Sequence, residues 1–72
     1  MAPRTIMGVP KVRDVLRRLR GAGWVEVRQR GSHRQLQHPE RPGTVTVSGK
    51  PGDEVPRGTW RSILRQSGMH ED

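Results

Sequence analysis

The chain has 72 residues, a formal net charge of +7 at pH 7, and only 29% hydrophobic residues. It contains no cysteine, which excludes disulfides, cysteine-based zinc sites and thiol catalysis. Twelve of the fourteen cationic side chains are arginine. Guanidinium groups match phosphate oxygens in a bidentate fork and stack on bases, so this surplus favours RNA or DNA as a partner.

The first half of the chain predicts a leader, a helix and a hairpin. Residues 1–9 show no hydrophobic period and are expected to be a flexible leader, without the apolar run of a signal peptide. From Pro10 onward, valines and leucines recur at spacings of three and four, which predicts a helix ended by Gly21 or Gly23. Two strands follow, Trp24 to Arg30 and His33 to His38, joined by a two-residue turn.

Strand alternation predicts which side chains face the helices. In the first strand we expect Val25 and Val27 to point towards the helix side. In the second strand Leu36 points the same way, so His33 should lie on the opposite, open face. The same parity turns His38 inward, where we expect a structural role.

The second half predicts one more strand and one more helix. After a turn over residues 39–43, Thr44 to Ser48 alternates as a third antiparallel strand with its valines inward. Prolines and glycines make residues 49–56 a surface loop. A second helix is expected from about Arg57 to Ser67, ended by Gly68, and residues 70–72 form a frayed tail.

This element order predicts an α+β fold, α-β-β-β-α, in which a three-stranded antiparallel sheet carries both helices on one face. Double-stranded-RNA-binding domains share the order. The domain spans residues 10–69, and no second domain or internal repeat is visible.

Trp24 and Trp60 could stack on bases, but we favour the core for both because large apolar residues are scarce.

The turn between the first two strands carries the candidate chemistry. His33 is a candidate proton-transfer group, because imidazole can accept or donate a proton near neutral pH. Arg28, Arg30 and Arg34 lie close in sequence and could stabilise negative charge on a phosphate. Ser32 has no orienting acid or oxyanion motif and is better explained by the turn.

Several motifs, in the right order, resemble the HicA family of toxins from bacterial toxin-antitoxin systems. They run from about Val12 to Met69 and are Gly23-Trp24, Arg28-Gln29-Arg30-Gly31-Ser32-His33, His38-Pro39, Val45-Thr46-Val47 and the helix segment from Gly58 to Gly68. The resemblance implies a double-stranded-RNA-binding-like fold, cleavage of mRNA without a metal or other cofactor, and a HicB-type antitoxin that covers the active site.

The resemblance also implies site residues. The family's catalytic histidine, in a Gly-Ser-His motif, falls on His33. Relatives often carry a further histidine after the third strand, where this chain has Lys50, and many have leucine at the position of Trp60. We expect RNA to be bound by the arginines named above together with Lys50 and Arg61.

Two other function classes stay open. The same fold without catalysis would be a module that binds duplex RNA through phosphates and shape. A basic DNA-binding accessory protein is less favoured, because no helix-turn-helix spacing is present.

No spacing of histidines and carboxylates matches a metal site, so we expect no metal, and no apolar run is long enough for a membrane span. The expected location is the cytoplasm.

Overall fold

Five elements follow one another in the order helix, three strands, helix, in a computed structural model that describes residues 9–69. They are α1 (Val12–Gly21), β1 (Val25–Arg30), β2 (His33–His38), β3 (Arg41–Ser48) and α2 (Arg57–Ser67). The strands form one antiparallel sheet in the order β1-β2-β3, and both helices cover one face. The predicted α+β fold is confirmed. Residues 1–8 of the predicted leader and residues 70–72 of the predicted tail lie outside the described residues.

A single apolar layer lies between the helices and the sheet. Both tryptophans belong to it, as expected from the shortage of large residues, and are 2% and 4% exposed. The central strand contributes Leu36, which is fully buried, and β3 contributes the predicted pair of valines. The buried apolar residues are Val12, Val15, Leu16, Leu19, Trp24, Leu36, Val45, Val47, Val55, Trp60, Ile63 and Leu64.

The prediction that Val25 and Val27 face the helices is wrong. Both side chains are more than half exposed. The residue of β1 that pairs with buried Leu36 is Glu26, and a bulge between Glu26 and Arg28 then shifts the register. The physical reason is Trp24, because burying its indole just before the strand removes far more apolar surface from water than burying a valine would.

Glu26 therefore points towards the helix layer, where its carboxylate accepts a hydrogen bond from Arg20 of α1 at 3.1 Å. An acidic side chain in place of a buried valine leaves this edge of the sheet thinly covered. The bulge also disrupts the ladder of an edge strand, which protects such an edge against pairing with other chains.

The loop over residues 49–56 forms hydrogen bonds to the start of α1, a role that its composition does not predict. The first N–H groups of a helix lack partners within the helix. Here Val12 N–H donates to the Asp53 carbonyl at 2.9 Å, and Arg13 N–H donates to the Pro51 carbonyl at 3.1 Å. Val55 in the same loop is buried in the core. The loop thus holds the N-terminus of α1 in place.

Other boundaries differ slightly from the prediction. Helix α1 begins at Val12 with Lys11 in the capping position, so Pro10 lies before the helix rather than in its first turn. Strand β3 begins at Arg41, so the turn that connects it to β2 is shorter than predicted. Helix α2 has the predicted bounds, and Gly68 ends it in the left-handed conformation with φ of +73°.

Candidate functional site

The open face of the sheet, opposite the helices, carries the predicted catalytic histidine. Gly31 opens the turn after β1 with φ of +57°, a conformation that glycine adopts without steric cost. Gln29 supports the turn by donating its side-chain N–H to the Gly31 carbonyl at 3.1 Å. His33 is therefore the first residue of the central strand, as predicted, and its ring is exposed.

Two arginines of β1 share this face with His33. Arg30 pairs directly with His33 across the ladder, and Arg28 pairs with Gln35, two residues further along β2. Directly opposite side chains have Cβ atoms roughly 4.5–5.5 Å apart, and diagonal neighbours about 7–8 Å. Both guanidinium groups can therefore reach an anion that contacts the imidazole.

These side chains enclose a concavity of about 270 Å³ on the open face. Its lining consists of Arg28, Arg30, His33, Gln35 and Thr46. The site residues expected from the sequence did not include Gln35 or Thr46. Strand parity was the available signal for both, because Thr46 alternates with two inward valines.

The concavity is cationic and lacks internal neutralisation. Within residues 9–69, neither Arg28 nor Arg30 forms an ion pair, and no carboxylate occupies a strand position on the open face. The His33 ring likewise has no hydrogen-bond partner in this part of the chain. An imidazole without a partner, next to two unpaired guanidinium groups, can interact with a bound anion.

The structure does not bring all the predicted RNA-binding residues together. Arg34 pairs with buried Val47, so its side chain leaves the sheet on the helix side, where it makes a long 3.4 Å contact to the Gly49 carbonyl. Arg61 is exposed on α2 and therefore lies on the opposite side of the sheet from His33. The expected three-arginine cluster around His33 is thus a two-arginine cluster.

Lys50 lies near the site through the chain that follows β3. Ser48 is the ladder partner of His33 on that side. The next residue, Gly49, donates its N–H to the Ser32 carbonyl at 3.0 Å, which joins the end of β3 to the turn. Lys50 is exposed and follows immediately, although it does not line the concavity itself.

The second histidine has a structural role, as its parity predicted. The Nδ1 atom of His38 accepts the N–H of Glu40 at 3.0 Å, which leaves the ring proton on Nε2. Nε2 then donates to the Ala22 carbonyl at 3.0 Å, and the ring packs edge-on against Trp24 with centroids 5.3 Å apart. Both nitrogens are occupied, so His38 is not available for proton transfer at the open face.

No group of three or more histidine, cysteine or carboxylate side chains is placed to hold a metal ion within residues 9–69. Neither helix has the length and hydropathy needed to cross a bilayer.

Comparison with known proteins identifies the family. A family model described as "HicA toxin of bacterial toxin-antitoxin" matches residues 12–69, which include both helices and the whole sheet. No curated protein matches the chain. The resemblance read from the motifs is confirmed, and the match extends over most of the 72 residues. The chain therefore belongs to the HicA family, the toxins of bacterial toxin-antitoxin systems.

Proposed function

We propose that this toxin is a metal-independent endoribonuclease that cleaves mRNA, with His33 as a general acid or base. The observation that supports this most is the exposed His33 ring, without a hydrogen-bond partner in residues 9–69, in a concavity with Arg28 and Arg30. Family membership supports the toxin role. We place the reaction in the cytoplasm, where mRNA is found.

The reaction requires no external nucleophile. A ribose 2′-hydroxyl loses its proton and attacks the adjacent phosphorus, so that the new O2′–P bond forms while the P–O5′ bond breaks. The leaving 5′-oxygen takes up a proton, and the products are a 2′,3′-cyclic phosphate and a 5′-hydroxyl. One proton is removed and one is supplied, and His33 performs one of these two transfers.

Arg28 and Arg30 stabilise the negative charge that develops on the phosphorane-like transition state. Their positions two residues apart on the same face of β1 are set by the backbone hydrogen bonds of the ladder, so little reorganisation is needed when the charge appears. Lys50 and Arg34 supply longer-range attraction from the end of the hairpin. Arg61, on the other side of the sheet, can contact only a different part of a long RNA.

The test is cleavage of a purified RNA by wild-type and His33→Ala protein, each with and without EDTA. We expect His33→Ala to lose about 10²–10⁴-fold in rate, the usual contribution of a positioned proton-transfer group. EDTA should leave the wild-type rate unchanged. Gln37→Ala is the matched control, since Gln37 is exposed on the same strand face but outside the concavity. A His33→Ala protein that cleaves at the wild-type rate refutes the assignment.

A non-catalytic module that binds duplex RNA is the alternative. It is favoured by one observation, that His33 is the only imidazole on the open face within residues 9–69. Such a module would leave RNA intact, and its affinity would fall steeply with added salt. If folded wild-type protein leaves the RNA intact but binds it in a salt-dependent manner, this alternative is the correct one.

A toxin of this family implies an antitoxin partner, and we propose one of the HicB type that covers the open face. Cations without internal partners at Arg28 and Arg30 favour an acidic partner surface, which would steer association and occlude His33. Co-purification with the product of the adjacent open reading frame tests this: that protein should be acidic, and Arg28→Glu with Arg30→Glu should abolish its complex with the toxin. If the double variant still forms the complex, and added salt dissociates it as it does the wild-type complex, the antitoxin does not cover the open face.

A further inference from the structure

The concavity contains a polar side chain that the proposed mechanism does not use. Gln35 occupies the central strand and is half-buried. It is flanked on one side by Arg28 in β1 and on the other by Thr46 in β3. It lies two residues after His33 on the same face, about 7 Å along the strand at roughly 3.3 Å per residue.

The amide of Gln35 has no hydrogen-bond partner within residues 9–69, in contrast to its closest equivalent. Gln37 lies on the same strand face and donates its side-chain N–H to the Thr44 hydroxyl at 3.2 Å. Gln35 keeps two N–H donors and a carbonyl acceptor unused at the floor of the concavity. A half-buried amide with this capacity favours a ligand that offers both a donor and an acceptor.

We propose that Gln35 forms a nucleobase subsite that reads an adenine next to the scissile phosphate. This inference rests on the proposed function, which brings an RNA phosphate to His33. A phosphate offers acceptors only, and the neighbouring arginines already supply donors for it. A base edge offers both kinds of group, and the planar amide of glutamine pairs in a bidentate manner with N6 and N7 of adenine.

The surroundings support a base rather than a second phosphate. Thr46 places a methyl group and a hydroxyl beside the amide, and Arg28 on the other side can stack its guanidinium plane on a base. The amide is half-buried in the lining of the concavity, so only an unstacked base can reach it. The substrate at this subsite is therefore single-stranded RNA, because a base in a duplex is paired and stacked.

The first arm of the test measures binding without cleavage. The probes are oligonucleotides of A, C or U with 2′-fluoro groups, which lack the nucleophilic hydroxyl. We expect wild-type protein to bind the A probe about 5- to 150-fold more tightly than the C probe, the range for one good bidentate pair. Gln35→Ala should remove this preference, and Gln37→Ala should keep it. Annealing the A probe to its complement should abolish the preference.

The second arm maps cleavage sites on an RNA of mixed sequence. Wild-type and Gln37→Ala protein should cut next to adenines, and Gln35→Ala should cut without base preference. Gln35→Thr serves as a second variant because threonine favours strands, so the result does not depend on a weakened sheet. Thermal unfolding of each variant checks the fold.

The two proposals can fail separately. If wild-type protein cleaves no RNA but shows a Gln35-dependent adenine preference on the 2′-fluoro probes, the proposed function falls and the base subsite stands. If cleavage depends on His33 but Gln35→Ala has the wild-type base profile in both arms, the ribonuclease stands and the subsite is refuted. Absence of any adenine preference in wild-type binding also overturns the subsite.

Discussion

Replacing Gly23 with alanine should destabilise the domain strongly, because two independent constraints meet at this residue. Gly23 follows α1 with φ of +98°, which L-residues rarely adopt, and a residue held there costs about 1–3 kcal/mol. A Cβ atom on Gly23 would also lie 2.7 Å from Nε2 of His38, too close for any real contact.

The clash adds a second cost because the His38 ring cannot move freely. Its Nε2 is held by the Ala22 carbonyl and its Nδ1 by the Glu40 N–H, and displacing the ring weakens both hydrogen bonds and the contact with Trp24. One such hydrogen bond is worth about 0.5–1.5 kcal/mol. Together with the backbone strain, we expect a loss of about 2–4 kcal/mol in the free energy of unfolding.

Gly21→Ala provides the matched control. Gly21 is the last residue of α1, and nothing lies within 4 Å of a Cβ added there. Alanine has the better helix propensity, so this change should be neutral or stabilise by up to about 1 kcal/mol.

Urea and thermal unfolding followed by circular dichroism measure both variants. For a domain of this size, 1 kcal/mol corresponds to about 4–8 °C in Tm. Gly23→Ala should therefore melt at least about 8 °C below wild type, while Gly21→Ala should not. If the two alanine variants have equal stabilities, the constraint derived for Gly23 does not exist.

Three further predictions test the core, the surface and the cationic face. Leu36→Ala removes a fully buried side chain from the central strand and should cost about 2–5 kcal/mol in urea unfolding, with a smaller loss showing that the core collapses around the gap. Glu26→Gln breaks an ion pair that is partly exposed, so it should cost less than about 1 kcal/mol in low salt; a larger loss would mean that the pair is shielded from solvent. Arg30→Gln should weaken RNA binding and reduce the slope of log Kobs against log salt by about 0.7–0.9, whereas Arg17→Gln on α1 should leave that slope unchanged; equal effects would indicate diffuse rather than local binding.

Part of the candidate site could be read from the sequence because strand parity is a strict rule where one face is buried. Leu36 fixed the orientation of the whole central strand, and so placed His33 on the open face and His38 inward. Parity equally placed Arg34 beside Leu36, away from His33. We expected three arginines around His33 because they are close to it in sequence, but closeness in sequence takes no account of the alternation of faces along a strand.

The error in β1 and the unpredicted contacts of the loop have another origin. Alternating valines share one face of a strand, but alternation alone does not say which face is buried, and Trp24, buried just before the strand, turns Glu26 inward and Val25 outward. Likewise, prolines and glycines correctly predicted an irregular segment at residues 49–56. They carry no information on its carbonyls, which turn towards the N–H groups of α1.

The sequence by itself determined the element order, the buried stripe of each helix, the family and the histidine at the turn, because these depend on local periodicity and on short motifs. Only the tertiary structure decided the faces of β1 and the partner-free amide of Gln35 within the concavity. These features depend on which large side chain is buried in the core and on the register in which neighbouring strands pair. Both are settled by contacts between segments distant in the chain, which no local pattern contains.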